Sequence, residues 1–222
     1  MSLFLSPHKY LVPVVLVVVI AIASAGGRFI AGSGTTWTLL AGVMLAALNA
    51  SLAGNWPALN QLGASYRRFL RGGGAFTVLS AALLTAATSV AAHVKLLHNP
   101  WYSLFDVFLI TRGPAPFIDT NGEPYVVPGA GHSVSTVLLS AALTFTFFAA
   151  AGLTGVAMGL AGKRFSSAAI LVGSACVAGL GAGFALGSVS PSAGVLSAIG
   201  IALAAMALGS AWVLARTPRA TT

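Results

Sequence analysis

The chain has 222 residues, 57% of them hydrophobic and 6% charged, with a formal charge of +8 and a mean hydropathy of +0.94. Soluble domains carry about 25% charged residues, so this composition excludes an ordinary soluble fold and points to a polytopic all-α membrane protein. The lone Cys176 lies in an apolar run, which excludes a disulfide framework or a cysteine metal cluster and leaves it as a small hydrophobe.

Six segments reach, or nearly reach, the roughly 20 helical residues that cross a hydrocarbon core of about 30 Å. They are residues 10–29, 36–54, 74–95, 133–162, 166–186 and 192–215. The first, with Lys9 before it and Ala23-Ser24-Ala25 near its end, mimics a cleavable signal but is read as a retained span. Gly32-Ser33-Gly34 marks the first turn, Pro57 follows the second span, and Pro191 precedes the last.

Between the second and third spans lies QLGASYRRFLRGGGA, residues 61–75. Arg67, Arg68 and Arg71 are too costly to place in hydrocarbon, so this stretch sits in water or at a headgroup surface. Short loops rich in Lys and Arg stay cytoplasmic, which puts both termini in the cytoplasm. Lys9, Arg67, Arg68, Arg71, Lys163, Arg164, Arg216 and Arg219 then fall inside, and only Arg28, Lys95 and Arg112 outside. The +8 charge is thereby explained by topology rather than by a nucleic-acid surface.

The segment 99–132 becomes an external loop that holds all three acidic residues, Asp106, Asp119 and Glu123. Trp101 to Ile110 is aromatic and too short to span, so an interfacial or re-entrant helix is expected. Asn121-Gly122 between β-prone runs signals a tight hairpin, with Pro124 weakening the second strand. On the later spans Gly155 and Gly159, and Gly179, Gly183 and Gly187, each share a helix face. They suit either close packing within the chain or a dimer contact.

Chemical motifs are sparse. Without an intramembrane carboxylate pair, proton-coupled transport has no support. Gly162-Lys163 resembles the end of a phosphate loop, but Ala157 and Arg164 replace its first glycine and its Ser or Thr. No hydrolytic triad is evident. His93, His98 and His132 gather by topology near the external ends of the third and fourth spans, and His93 with His132 offers an alternative reading as a haem electron-transfer or binding subunit. Asn49, Ser80, Thr85, Thr88, Ser89, Thr144, Thr146 and Ser174 suit either helix packing or a substrate path.

The run Leu62-Gly63-Ala64-Ser65-Tyr66-Arg67-Arg68-Phe69, its glycine-rich continuation and the Lys163-Arg164 turn resemble small ABC-2-like transporter permeases of high-GC Gram-positive bacteria. The resemblance implies a multi-pass cell-membrane permease, functioning as an exporter, that pairs with a second permease subunit and with a separate ATPase subunit. It makes residues 57–73 a cytoplasmic coupling segment, with Ser65, Tyr66, Arg67, Arg68, Phe69 and Arg71 in contact with the ATPase and Lys163 and Arg164 as a second contact. It implies no cofactor, no metal and no catalysis in this chain. Many members carry their external helical element between the last two spans, whereas here the large loop precedes the fourth. The competing reading of the arginines is topology and anionic-lipid binding. If the orientation is right, Cys introduced at Asn121 reacts with an impermeant thiol reagent in intact cells and Cys introduced at Arg67 does not; the reverse pattern inverts the topology.

Overall fold

The computed structural model describes residues 2–5 and 11–161. They form α1 (Ser2–Leu5), α2 (Leu11–Ala31), α3 (Gly34–Ala53), α4 (Trp56–Gln61), α5 (Tyr66–His98), a 3-10 helix (Pro100–Leu104), strands β1 (Ala115–Ile118) and β2 (Pro124–Val127), and α6 (Val134–Ala161). Four stretches among the described residues are long and apolar enough to cross a membrane: Leu11–Ile30, Gly34–Gln61, Tyr66–His98 and Val134–Ala161. Val12, Val15, Val19 and Ile22 on α2, and Val78, Leu79, Leu83 and Val90 on α5, are exposed. Such aliphatic faces need lipid rather than water around them, and the protein is membrane-embedded. The predicted spans 166–186 and 192–215 lie outside the described residues, as do Cys176 and the face carrying Gly179, Gly183 and Gly187.

The described residues fall into two compact units, one drawn from residues 2–5, 11–15, 43–80 and 149–161, the other from Leu16–Gly42 and Ala81–Phe148. In the first, small residues permit close helix contact. A side chain at Gly155 would meet the backbone of Ala46, and one at Gly159 the backbone of Ala50. These two glycines therefore pack within the chain. Thr77 donates to Asn49 Oδ1 at 3.2 Å, and Asn49 Nδ2 donates to the Leu45 carbonyl at 2.9 Å, so both polar groups are used in packing.

One boundary differs from the sequence reading. The helix that carries the third span starts before Gly74: α5 begins at Tyr66 and runs unbroken for 33 residues through Gly72, Gly73 and Gly74. Each glycine costs a helix about 1 kcal/mol relative to alanine. The offset comes from the buried face formed by Phe69, Gly73 and Phe76. A Cβ at Gly73 would lie 3.0 Å from the Phe4 ring, and that ring sits 5.3 Å from Phe69 and 5.9 Å from Phe76. The glycine makes room for an aromatic contact that holds the helix together.

In the second unit the expected helix over residues 101–110 shrinks to the 3-10 turn Pro100–Leu104. Asn99 Oδ1 accepts from the Trp101 amide at 3.0 Å and starts the turn. Asp106 Oδ1 accepts from the Phe108 amide at 3.2 Å, a local bond that competes with helix continuation. The hairpin is present, with Ala115 opposite Val127 and Ile118 opposite Pro124, so the described residues are helical with one small antiparallel pair. Its connection is longer than a two-residue Asn-Gly turn. Asp119 Oδ1 accepts from the amides of Asn121 and Glu123, both at 2.8 Å, and Gly122 takes φ +84°. Pro124 lies at the end of its strand, where a missing donor disturbs the ladder least.

Gly26 and Gly27 provide a neighbouring pair of tests on α2. A Cβ at Gly26 meets nothing within 4 Å, whereas one at Gly27 would enter the Trp37 ring. Gly26→Ala is expected to be neutral or to stabilise by up to about 1 kcal/mol, and Gly27→Ala to destabilise by about 1–3 kcal/mol. Thermal unfolding of the two purified variants checks the contrast; equal stabilities would show that α2 and α3 do not meet there.

Candidate functional site

Two groups of residues stand out, one in each unit. The first is the start of α5. Gly63, at φ +77°, ends α4, and the Ser65 carbonyl accepts the first helical bond from the Phe69 amide at 3.0 Å. Arg67, Arg68 and Arg71 then share one exposed stripe by their spacing of three and four, and Ser65 is exposed beside them. The inward stripe is aromatic. Phe69 is fully buried, and Trp56 lies 5.0 Å from it and 5.1 Å from Tyr66.

The structure therefore divides the residues expected to contact an ATPase. Ser65, Arg67, Arg68 and Arg71 are available on the surface, Tyr66 is half-buried, and Phe69 is a core residue rather than an exposed anchor. The first turn of α5 carries no acidic residue, and no ion pair holds these arginines among the described residues. Lys163 and Arg164 lie outside the described residues.

The second group is buried and was not expected from sequence. Arg28, placed by the charge count in an external position, is 1% exposed in the last turn of α2. Its Nη1 donates to the Ser24 carbonyl at 2.8 Å and to Ser24 Oγ at 3.1 Å, and its Nη2 donates to Thr38 Oγ1. Its Nε faces Asp106 Oδ2 at 3.4 Å, the one ion pair among the described residues. Tyr102 donates to the same carboxylate oxygen at 3.4 Å. A Cβ at Gly34 would overlap this carboxyl, so the glycine of the α2–α3 turn is required for the approach.

Asp106 also anchors the segment after α5. The Thr35 amide donates to the Phe105 carbonyl at 3.2 Å, the Val107 amide donates to Thr35 Oγ1 at 3.0 Å, and the Ile110 amide donates to Ser140 Oγ at 2.8 Å. Burial pushes the Asp106 carboxyl above its usual range, while the Arg28 charge, the Phe108 amide and the bonds from Arg28 and Tyr102 pull it down less strongly. Burial and the neighbouring carboxylate also push the Tyr102 phenol up.

Beside the pair is a cavity of about 10 Å³, room for about one water, lined by Arg28, Asp106, Thr88, His93, Ser140 and Thr144 among others. Thr88 and Thr144 each donate to their own helix, at 2.7 Å to Leu84 and 2.8 Å to Ser140, as packing residues do. His93 Nδ1 lies 2.8 Å from the Ser89 carbonyl. A carbonyl only accepts, so Nδ1 carries the hydrogen and Nε2 is the basic nitrogen. His98 and His132 are exposed and do not line this cavity. Among the described residues no group of three or more His, Cys, Asp or Glu is gathered to hold a metal.

Comparison of the chain with protein-family profiles, curated proteins and solved structures returned no match.

Removal of Arg28 is expected to expose the balance around Asp106. Arg28→Met leaves a buried carboxylate without its cation and should cost about 3–5 kcal/mol at neutral pH. An aspartate raised in the folded state contributes stability that is fully present below its unfolded value and is lost as pH rises through the folded one. The variant's deficit should therefore shrink on acidification. Denaturant unfolding at neutral and mildly acidic pH checks this, and a deficit independent of pH would contradict it.

Proposed function

We propose that the chain is a permease subunit of an ATP-driven exporter, coupled at the start of α5 to a separate ATPase subunit. One observation supports the reading above others: the exposed Arg67, Arg68 and Arg71 stripe stands on the same unbroken helix as a membrane span, Tyr66–His98. A force on that face would pass into the span without a hinge. Trp56, Tyr66, Phe69 and Phe4 brace the other side. An arginine stripe with no acidic side chain in its helix turn also suits an acidic protein surface.

The rest of the reading follows from the resemblance of this segment to small ABC-2-like permeases. Six spans, cytoplasmic termini, a second permease subunit and a place in the cell membrane belong to it. ATP hydrolysis is assigned to the partner. Ser65, Arg67, Arg68 and Arg71 make the contact, and Phe69 holds the helix that presents them.

These roles separate by mutation. Arg67→Glu with Arg68→Glu should lower ATPase co-purification ~10-fold or more through charge reversal, while leaving the unfolding temperature unchanged. Phe69→Ala should instead destabilise the protein by about 3–5 kcal/mol. Correctly inserted charge-reversed protein that keeps full ATPase binding and stimulated turnover would return the arginines to topology or lipid binding.

A further inference from the structure

Asp106 is buried, yet its contact with Arg28 is a single 3.4 Å approach through Nε rather than a two-pronged pairing. Both Nη atoms of Arg28 are occupied by Ser24 and Thr38. The carboxylate is held by that one guanidinium nitrogen, the Tyr102 hydroxyl and the Phe108 amide, and it borders a water-sized cavity that His93 also lines. A loosely paired buried carboxylate next to an imidazole and space for water has a route for gaining and losing a proton.

We infer that Asp106, with His93 lining the same cavity, forms a reversible proton-binding site that governs how firmly residues 99–110 are held to α2 and α3. The step is simple. A proton from water adds to a carboxylate oxygen, one O–H bond forms, and the cluster gains one positive charge because Arg28 stays a cation. The link from Arg28 to the segment weakens, leaving Thr35 and Ser140 to hold it by neutral hydrogen bonds.

Among the described residues, few other titratable groups surround the site. Arg28 comes from α2, His93 from α5 and Tyr102 from the 3-10 turn, while α3 and α6 contribute the uncharged Thr38, Ser140 and Thr144. Lys95, two residues beyond His93, sits over the Phe29 ring at 5.0 Å. The raised carboxyl of Asp106 agrees with this arrangement.

The scarcity of acids permits a direct test. The whole chain has three acidic side chains, so Asp119→Asn with Glu123→Gln leaves Asp106 as the only side-chain carboxyl. Full-length protein with these two changes, in lipid bilayer discs, is titrated while the infrared band of the protonated carboxyl is followed. The expected midpoint lies above the ordinary aspartate range. Adding His93→Gln replaces the imidazole that shares the cavity and should move the midpoint. Amide hydrogen exchange in residues 105–110 should quicken across the same midpoint. Adding Asp106→Asn should abolish the band; if that variant does not fold, the other measurements still decide. A midpoint at or below the ordinary value, indifference to His93→Gln, or exchange that ignores the midpoint would each overturn the site and leave Asp106 a fixed structural partner of Arg28.

Discussion

The contact between Arg28 and Asp106 organises the second unit, because it joins the last turn of α2 to the segment that follows α5. Three carboxylates stand against eleven basic side chains in this sequence, and Asp106 is the buried one. Burial opposes charge on both partners, and their attraction through a 3.4 Å contact only partly answers it. The remaining donors of Arg28 reach Ser24 and Thr38, so the guanidinium also fixes the start of α3. Gly34 completes the arrangement by leaving room for the carboxyl. From there the ties through Thr35 and Ser140 set the path of the segment toward the hairpin.

The first unit meets a different problem. Its arginines on α5 have no carboxylate in the helix turn to answer them, and they point outward. Their helix is secured from behind by aromatic rings. Phe69 touches both Phe4 and Trp56, and Gly73 admits the Phe4 ring. This combination, a cationic outer stripe over an aromatic inner one, makes the start of α5 a packed, unbroken extension of the helix that carries a span. Stiffness is what a coupling element requires, since a flexible glycine hinge there would dissipate any displacement imposed by a partner.

Much of this architecture is legible in the residues. Apolar length locates the four described spans, and the positions of Gly155 and Gly159 indicate close packing. Spacing also places Arg67, Arg68 and Arg71 on one stripe. What composition cannot supply is the environment of a single side chain. Phe69 reads as an exposed anchor until Phe4, far away in sequence, is seen against it. Gly72-Gly73-Gly74 gives no sign in sequence that one helix runs through it, because intrinsic propensity ignores the tertiary contact that offsets its cost. Arg28 and Asp106 count as loop charges in a topology argument. A signal was present all the same: each is a lone charge inside an apolar run, SAGGRFIAG and SLFDVFLI, a context in which a charge seeks a partner.

The proposed coupling requires α5 to carry a docking contact rigidly into a membrane span. Gly72→Pro tests it most directly, because proline removes a helix hydrogen bond and crowds the carbonyl of Arg68 while leaving the arginines in place. The measurement is ATPase association together with ATP-dependent transport in reconstituted vesicles. The account predicts that association persists while coupled transport is lost. Transport at the original rate in a correctly inserted Gly72→Pro variant would contradict it.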